Sequence, residues 1–93
     1  SNKSIQTMAE QKLLRYNLLR LLCERTDEEG NPIPFRIKYI CMDGEIMEAE
    51  NVVTTSVDVK KHTRTLLFLN SGQYRTIHDV LVMEVNDRKI IVS

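Results

Sequence analysis

The feature that most constrains this chain is a change of rhythm at Gly30. Before it, Leu13, Leu14, Leu18, Leu19, Leu21 and Leu22 recur at helical spacing. After it come short runs rich in Val, Ile, Thr and Tyr, punctuated by Asp43-Gly44, Ser71-Gly72 and Asn86-Asp87. Apolar residues every three or four positions build one stripe on a helix, whereas alternating ones build one face of a strand. The chain therefore reads as one N-terminal helix followed by a β body. With 93 residues, 42% of them hydrophobic, it makes a single domain with a small core and little room for a deep substrate pocket.

The expected organisation is a helix over about 7–26, a linker over about 27–34 and a β-barrel over about 35–92. Thr7 has capping-box spacing to Glu10, and Gly30-Asn31-Pro32 stops the helix. Residues 1–6 are set aside from the 7–93 domain, because Ser1-Asn2 reads as a tag scar or a disordered start. Leu14, Leu18, Leu21 and Leu22 share the apolar stripe, Leu19 and Met8 widen it, and Leu13 falls on the polar side. That arc exceeds what one small sheet needs. Either the helix covers the β body with Leu13 incidentally exposed, or it also packs on a second copy. The second reading makes Leu13, Leu14, Leu18, Leu19 and Leu22 interface candidates and the protein a homodimer.

In the β body, Phe35, Ile37, Tyr39 and Cys41 alternate with charged residues. Asp43-Gly44 suits a two-residue hairpin turn. The returning strand runs from Glu45 as far as Val59, with a bulge or bend at Glu50-Asn51. Lys60 to Arg64 is expected to be a loop, Thr65–Leu69 and Gln73–Ile77 the next two strands, and His78-Asp79 a short corner. Val80–Val85 and Arg88–Val92 form a closing hairpin. The fold class is therefore mainly β with one helix (α+β), with five or six antiparallel strands. The bent second strand, the corner at Ile77-His78-Asp79 and the last hairpin make residues 34–92 resemble the small SH3-like barrels. The resemblance is one of shape. The chain has no Trp with which to grip a proline helix, and a shared fold does not carry an activity with it.

No set of residues fills the roles of a catalytic site. His78 and Asp79 are neighbours and would point apart on a strand, and Ser71-Gly72 lacks a following helix. Cys23, Cys41, His62 and His78 lack the close pairing of zinc ligands, and Glu48 and Glu50 read as a solvated strand face. No catalytic residue, metal or cofactor is expected. Two cysteines are too few for a disulfide framework and read as buried thiols of a cytoplasmic protein. No run is apolar enough to span a membrane.

Net charge is zero, which excludes a protein built mainly to coat nucleic acid. The charges are nonetheless segregated: Asp43, Glu45, Glu48, Glu50 and Asp58 precede Lys60, Lys61 and Arg64. The expected function is a non-enzymatic interaction module that self-associates and docks a protein partner through the helix or a sheet edge. The alternative is a nucleic-acid-binding accessory protein. Lys60, Lys61, Arg64 and Arg75 would then grip an acidic partner or a phosphate backbone, and Tyr74 would stack.

Overall fold

A computed structural model describes the backbone of residues 8–90 and the side chains of residues 13–90. Helix α1 spans Met8–Cys23 and is followed by strands β1 (Phe35–Ile40), β2 (Ile46–Asp58), β3 (Thr63–Phe68) and β4 (Gln73–His78). A 3₁₀ turn, Asp79–Leu81, leads into β5 (Val82–Val85) and β6 (Arg88–Lys89). The strands form one antiparallel sheet in the order β4-β3-β2-β1-β5-β6. The mainly β architecture with one helix is as read from the sequence. The sheet is open, however, with β4 and β6 as its edges. The expected helix start at Thr7 and the strand end at Val92 lie outside the described residues.

The long second strand explains how six strands curl over one small core. Asn51 adopts a left-handed φ of 55°, and Glu50-Asn51 inserts one extra residue between the pairs Ile37↔Ala49 and Phe35↔Val52. An extra residue bends a strand and reverses which side chains face inward. Met47 and Ala49 therefore pack inward before the bulge and Val52 after it. A second slip at Thr55 restores the odd positions, so that Val57 lies opposite Arg64. The inner face is thus assembled from Phe35, Ile37 and Tyr39 of β1, Leu66 of β3, Ile77 of β4, and Val82 and Val85 of β5.

The first hairpin differs from the expected two-residue turn. Its loop is closed by the Cys41 amide donating to Glu45 O at 2.7 Å and the Gly44 amide donating to Cys41 O at 2.8 Å. Only Gly44, at φ 92°, is left-handed, because Asp43 turns its carboxylate to accept the Glu45 amide at 3.0 Å instead. A carboxylate that caps a downstream amide stabilises the turn without a positive φ at its own residue. The last hairpin does use paired left-handed residues, Asn86 at φ 51° and Asp87 at φ 66°.

The helix ends at Cys23, three residues before the expected limit. The Asp27 carboxylate then organises a turn by accepting the Glu29 and Asn31 amides, each at 2.9 Å. Leu19 and Cys23, one turn apart, insert fully into the core, flanked by Leu18 and Leu22. Leu14 and Leu21 face away, so the buried stripe is rotated from the expected one. Leucine spacing alone points to the wrong stripe, because Cys23, and not Leu14 or Leu21, joins Leu19 in the core. Among the described residues no helix is long and apolar enough to cross a membrane.

Candidate functional site

Three places hold the residues singled out in the sequence. The first is α1. Leu18, Leu19 and Leu22 pack on the sheet of their own chain and are spent there. Leu13, Leu14 and Leu21 are 59%, 44% and 71% exposed. The five-leucine interface therefore divides, and Leu21, which had been assigned to the stripe toward the sheet, joins Leu13 and Leu14 outside. On the inner side the Arg15 Nη1 reaches Val82 O at 3.5 Å, where α1 meets the end of the 3₁₀ turn.

The second place is the basic stretch. Lys60 and Lys61 are exposed in the β2–β3 turn, where the Lys61 amide is held by Asp58 Oδ1 at 3.0 Å. Arg64 is not in that loop. The strand begins at Thr63, and Arg64 falls in the same alternation as Leu66 and Phe68, which sends its side chain inward. It is 1% exposed. Its Nε donates to Asp79 Oδ1 at 2.8 Å, and its Nη1 lies 3.6 Å from Glu24 Oε2. Nη1, Nη2 and Asp79 Oδ2 make no hydrogen bond among the described residues. This cluster joins β3, the start of the 3₁₀ turn and the residue just after α1. A guanidinium in that position ties elements together and is unavailable to a phosphate backbone. The alternation through Thr63–Phe68 was the signal for this in the sequence, masked by the neighbouring lysines.

Cys23 lies against the same cluster. Burial pushes its thiol from 9.0 up to about 12, with Arg64 opposing the shift and Asp79 and Glu24 adding to it. The thiol is accordingly neutral and inert at ordinary pH. Asp79, committed to Arg64, does not orient His78, whose side chain also makes no capping bond to the 3₁₀ turn that follows it. Among the described residues no three His, Cys, Asp or Glu side chains gather in a way that could hold a metal ion. Glu48 and Glu50 line an open, charged surface depression, with Lys38 4.0 Å from Glu48 and 3.5 Å from Glu84. The pair with Glu48 is exposed and contributes little to stability, whereas the pair with Glu84 is half-buried.

The third place is β4. Among the described residues it pairs with β3 alone, in an unbroken register from Phe68↔Gln73 to Thr63↔His78, and Gln73–Thr76 are exposed. Tyr74 lies opposite Leu67 and Arg75 opposite Leu66, so the two side chains leave opposite faces of the sheet. Arg75 as a phosphate grip and Tyr74 as a stacking ring therefore do not share one face. Arg75 projects on the inner side, its guanidinium carbon 5.9 Å from the centre of the Phe68 ring, within cation–π range. Beside it runs a groove of about 250 Å³ between β4 and the end of β1.

No family model matches the chain, and no curated protein or solved structure is significantly similar to it.

Proposed function

We propose that this chain is a non-enzymatic interaction module that pairs with a second copy through the outer face of α1 and docks a protein partner on its sheet. The observation that carries the reading is the two-sided helix: Leu19 and Cys23 are buried in the core while Leu13, Leu14 and Leu21 stand in solvent. A helix needs one apolar face to hold its own sheet, so a second one indicates a second contact. A two-fold pair places the same leucines on both sides, which is self-complementary. The strand order, the 3₁₀ corner and the bent second strand support an SH3-like body left open along β4. The free cysteines Cys23 and Cys41 support a reducing compartment such as the cytoplasm.

Leucine burial bounds the strength of the pairing. Full burial of a leucine contributes about 1.5–3 kcal/mol, and these three are already partly covered. Association costs at least about 4 kcal/mol. With three partly exposed leucines on each side of the pair, at most about 6 kcal/mol remains, so the dimer is weak and its dissociation constant is no tighter than tens of micromolar. Sedimentation velocity over a concentration series tests this. Concentration-dependent dimerisation lost in Leu13→Glu/Leu21→Glu, with an unchanged circular dichroism spectrum, supports the reading. A monomer at every concentration up to about 1 mM, or a dimer indifferent to both substitutions, ends it. The nucleic-acid alternative keeps Lys60, Lys61 and Arg75 but loses Arg64 to the interior.

A further inference from the structure

The two edges of the sheet are protected very differently. β6 is two residues long and both are basic, Arg88 and Lys89. Short length and charge are common means of blocking unwanted strand pairing. β4 has six residues, no proline, no lysine and no slip against β3. Among the described residues no other strand pairs with its outer side. An edge left this open is a template for another extended chain.

The groove beside it has the same character. Arg75, Thr76, Ile77 and His78 all line one wall. Consecutive strand residues point to alternate faces, so a wall made of four in a row is the strand's edge. The opposite wall includes Tyr39, Cys41 and Met42. Past Tyr39↔Val82, the last pair between β1 and β5, β1 has no strand on that side either among the described residues. Two free strand edges thus frame one gap. At about 250 Å³ it is smaller than the clefts that enclose drug-sized ligands, about 300–1,000 Å³, and suits a short extended segment.

Charge selects among such segments. Among the described residues no carboxylate lines the groove, whereas Arg75 and His78 do. The pair Thr63↔His78 sets the far end of β4 beside the β2–β3 turn, which carries the exposed Lys60 and Lys61. Met42, 80% exposed at the hairpin tip, and Leu81 add apolar contacts at the rim.

We infer that the β4 edge is a docking site for an extended acidic peptide, which adds a strand to the sheet beside Arg75–His78 with its carboxylates toward Arg75 and the Lys60-Lys61 turn. This rests on the reading of the chain as a protein-interaction module but not on dimerisation through α1. A single-stranded nucleic acid would use the cations but has no peptide backbone to pair with β4.

The test uses the full chain, labelled with ¹⁵N, and a short fluorescein-labelled peptide alternating valine and glutamate. The expected result is binding with a dissociation constant of about 100 µM, weakened by salt, with amide shifts confined to 73–78 and 39–42. A valine–lysine peptide should bind at least about fivefold more weakly, as should the acidic peptide to Arg75→Glu. N-methylating alternate residues of the peptide, on the edge that pairs, should abolish binding without touching the protein. Equal binding of the N-methylated peptide, shifts elsewhere, or no binding at about 1 mM would overturn the inference. So would tighter binding at 73–78 by mixed-sequence single-stranded RNA. Leu13→Glu/Leu21→Glu should leave peptide binding intact, which keeps this result separate from the fate of the dimer.

Discussion

Replacing Arg64 by methionine probes the ion cluster at the end of α1. Methionine keeps most of the aliphatic stem that packs between Val57 and Ile77 in the sheet register, and removes only the charge. Asp79 is 3% exposed and has Arg64 Nε as its charged partner at 2.8 Å. Arg64→Met therefore leaves a buried carboxylate unpaired, a loss of about 3–5 kcal/mol. A domain of this length has about 5–14 kcal/mol of total stability, so this one change removes a large share of it. Asp79→Asn keeps a neutral hydrogen-bond acceptor in the same place, and Glu24 remains 3.6 Å from the Arg64 guanidinium, so it should lose less, about 1–3 kcal/mol. The double variant Arg64→Met/Asp79→Asn strands no charge and should be more stable than the sum of the single losses predicts, by about 2 kcal/mol. Urea unfolding followed by far-ultraviolet circular dichroism measures all three, at a slope of about 1–2 kcal/mol per molar. If the single losses are each below about 1 kcal/mol and add to within about 0.5 kcal/mol, Arg64 is not a buried, paired charge and the argument fails. Glu24, further away at 3.6 Å and partly in solvent, should matter less: Glu24→Gln is expected to cost under about 1 kcal/mol.

Two further outcomes follow from the burial of α1. Leu19→Ala should cost about 2–5 kcal/mol in the same assay, because Leu19 is wholly buried, whereas Leu21→Ala on the outer face should stay within about 0.5 kcal/mol of the parent; equal losses would mean the helix is rotated from its position here. The second concerns alkaline pH. The folded Cys23 thiol keeps its proton to about pH 12, while the unfolded one releases it near 9.0. Between those values the unfolded state holds fewer protons, so stability is full below pH 9 and falls as pH rises toward 12, by at most about 1.4 kcal/mol per unit. Cys23→Ala should flatten that slope; an unchanged slope would assign it to other groups.

Much of the architecture is legible in the sequence. The helix before Gly30, the strand beginning at Phe35, the bend at Glu50-Asn51 and the turns at Ser71-Gly72 and Asn86-Asp87 are local. Each depends on periodicity or on a residue that tolerates a left-handed backbone, and both are written in the chain. Sequence and structure part where distant elements choose between local options. Leucine periodicity places Leu14 and Leu21 in the stripe of α1, whereas the buried face is built by Leu19 and Cys23, which join Phe35, Tyr39 and Val82 in the core. Lys60-Lys61-His62-Thr63-Arg64 looked like one basic unit, yet it straddles a strand boundary. Its first members are in solvent, and Arg64 is drawn inside because Glu24 and Asp79, distant in sequence, meet it there. Tyr74 and Arg75 were grouped by proximity and are separated by the pleat.

By itself, then, the sequence determined the elements, their order and most of their turns, because those are set by interactions between near neighbours. Only the tertiary structure decided which leucines remain exposed, which carboxylates meet Arg64 and which strand edge is left open. Those depend on how a bent sheet of six strands closes over a small core, and the gap between β4 and β1 exists only once β2 has bent.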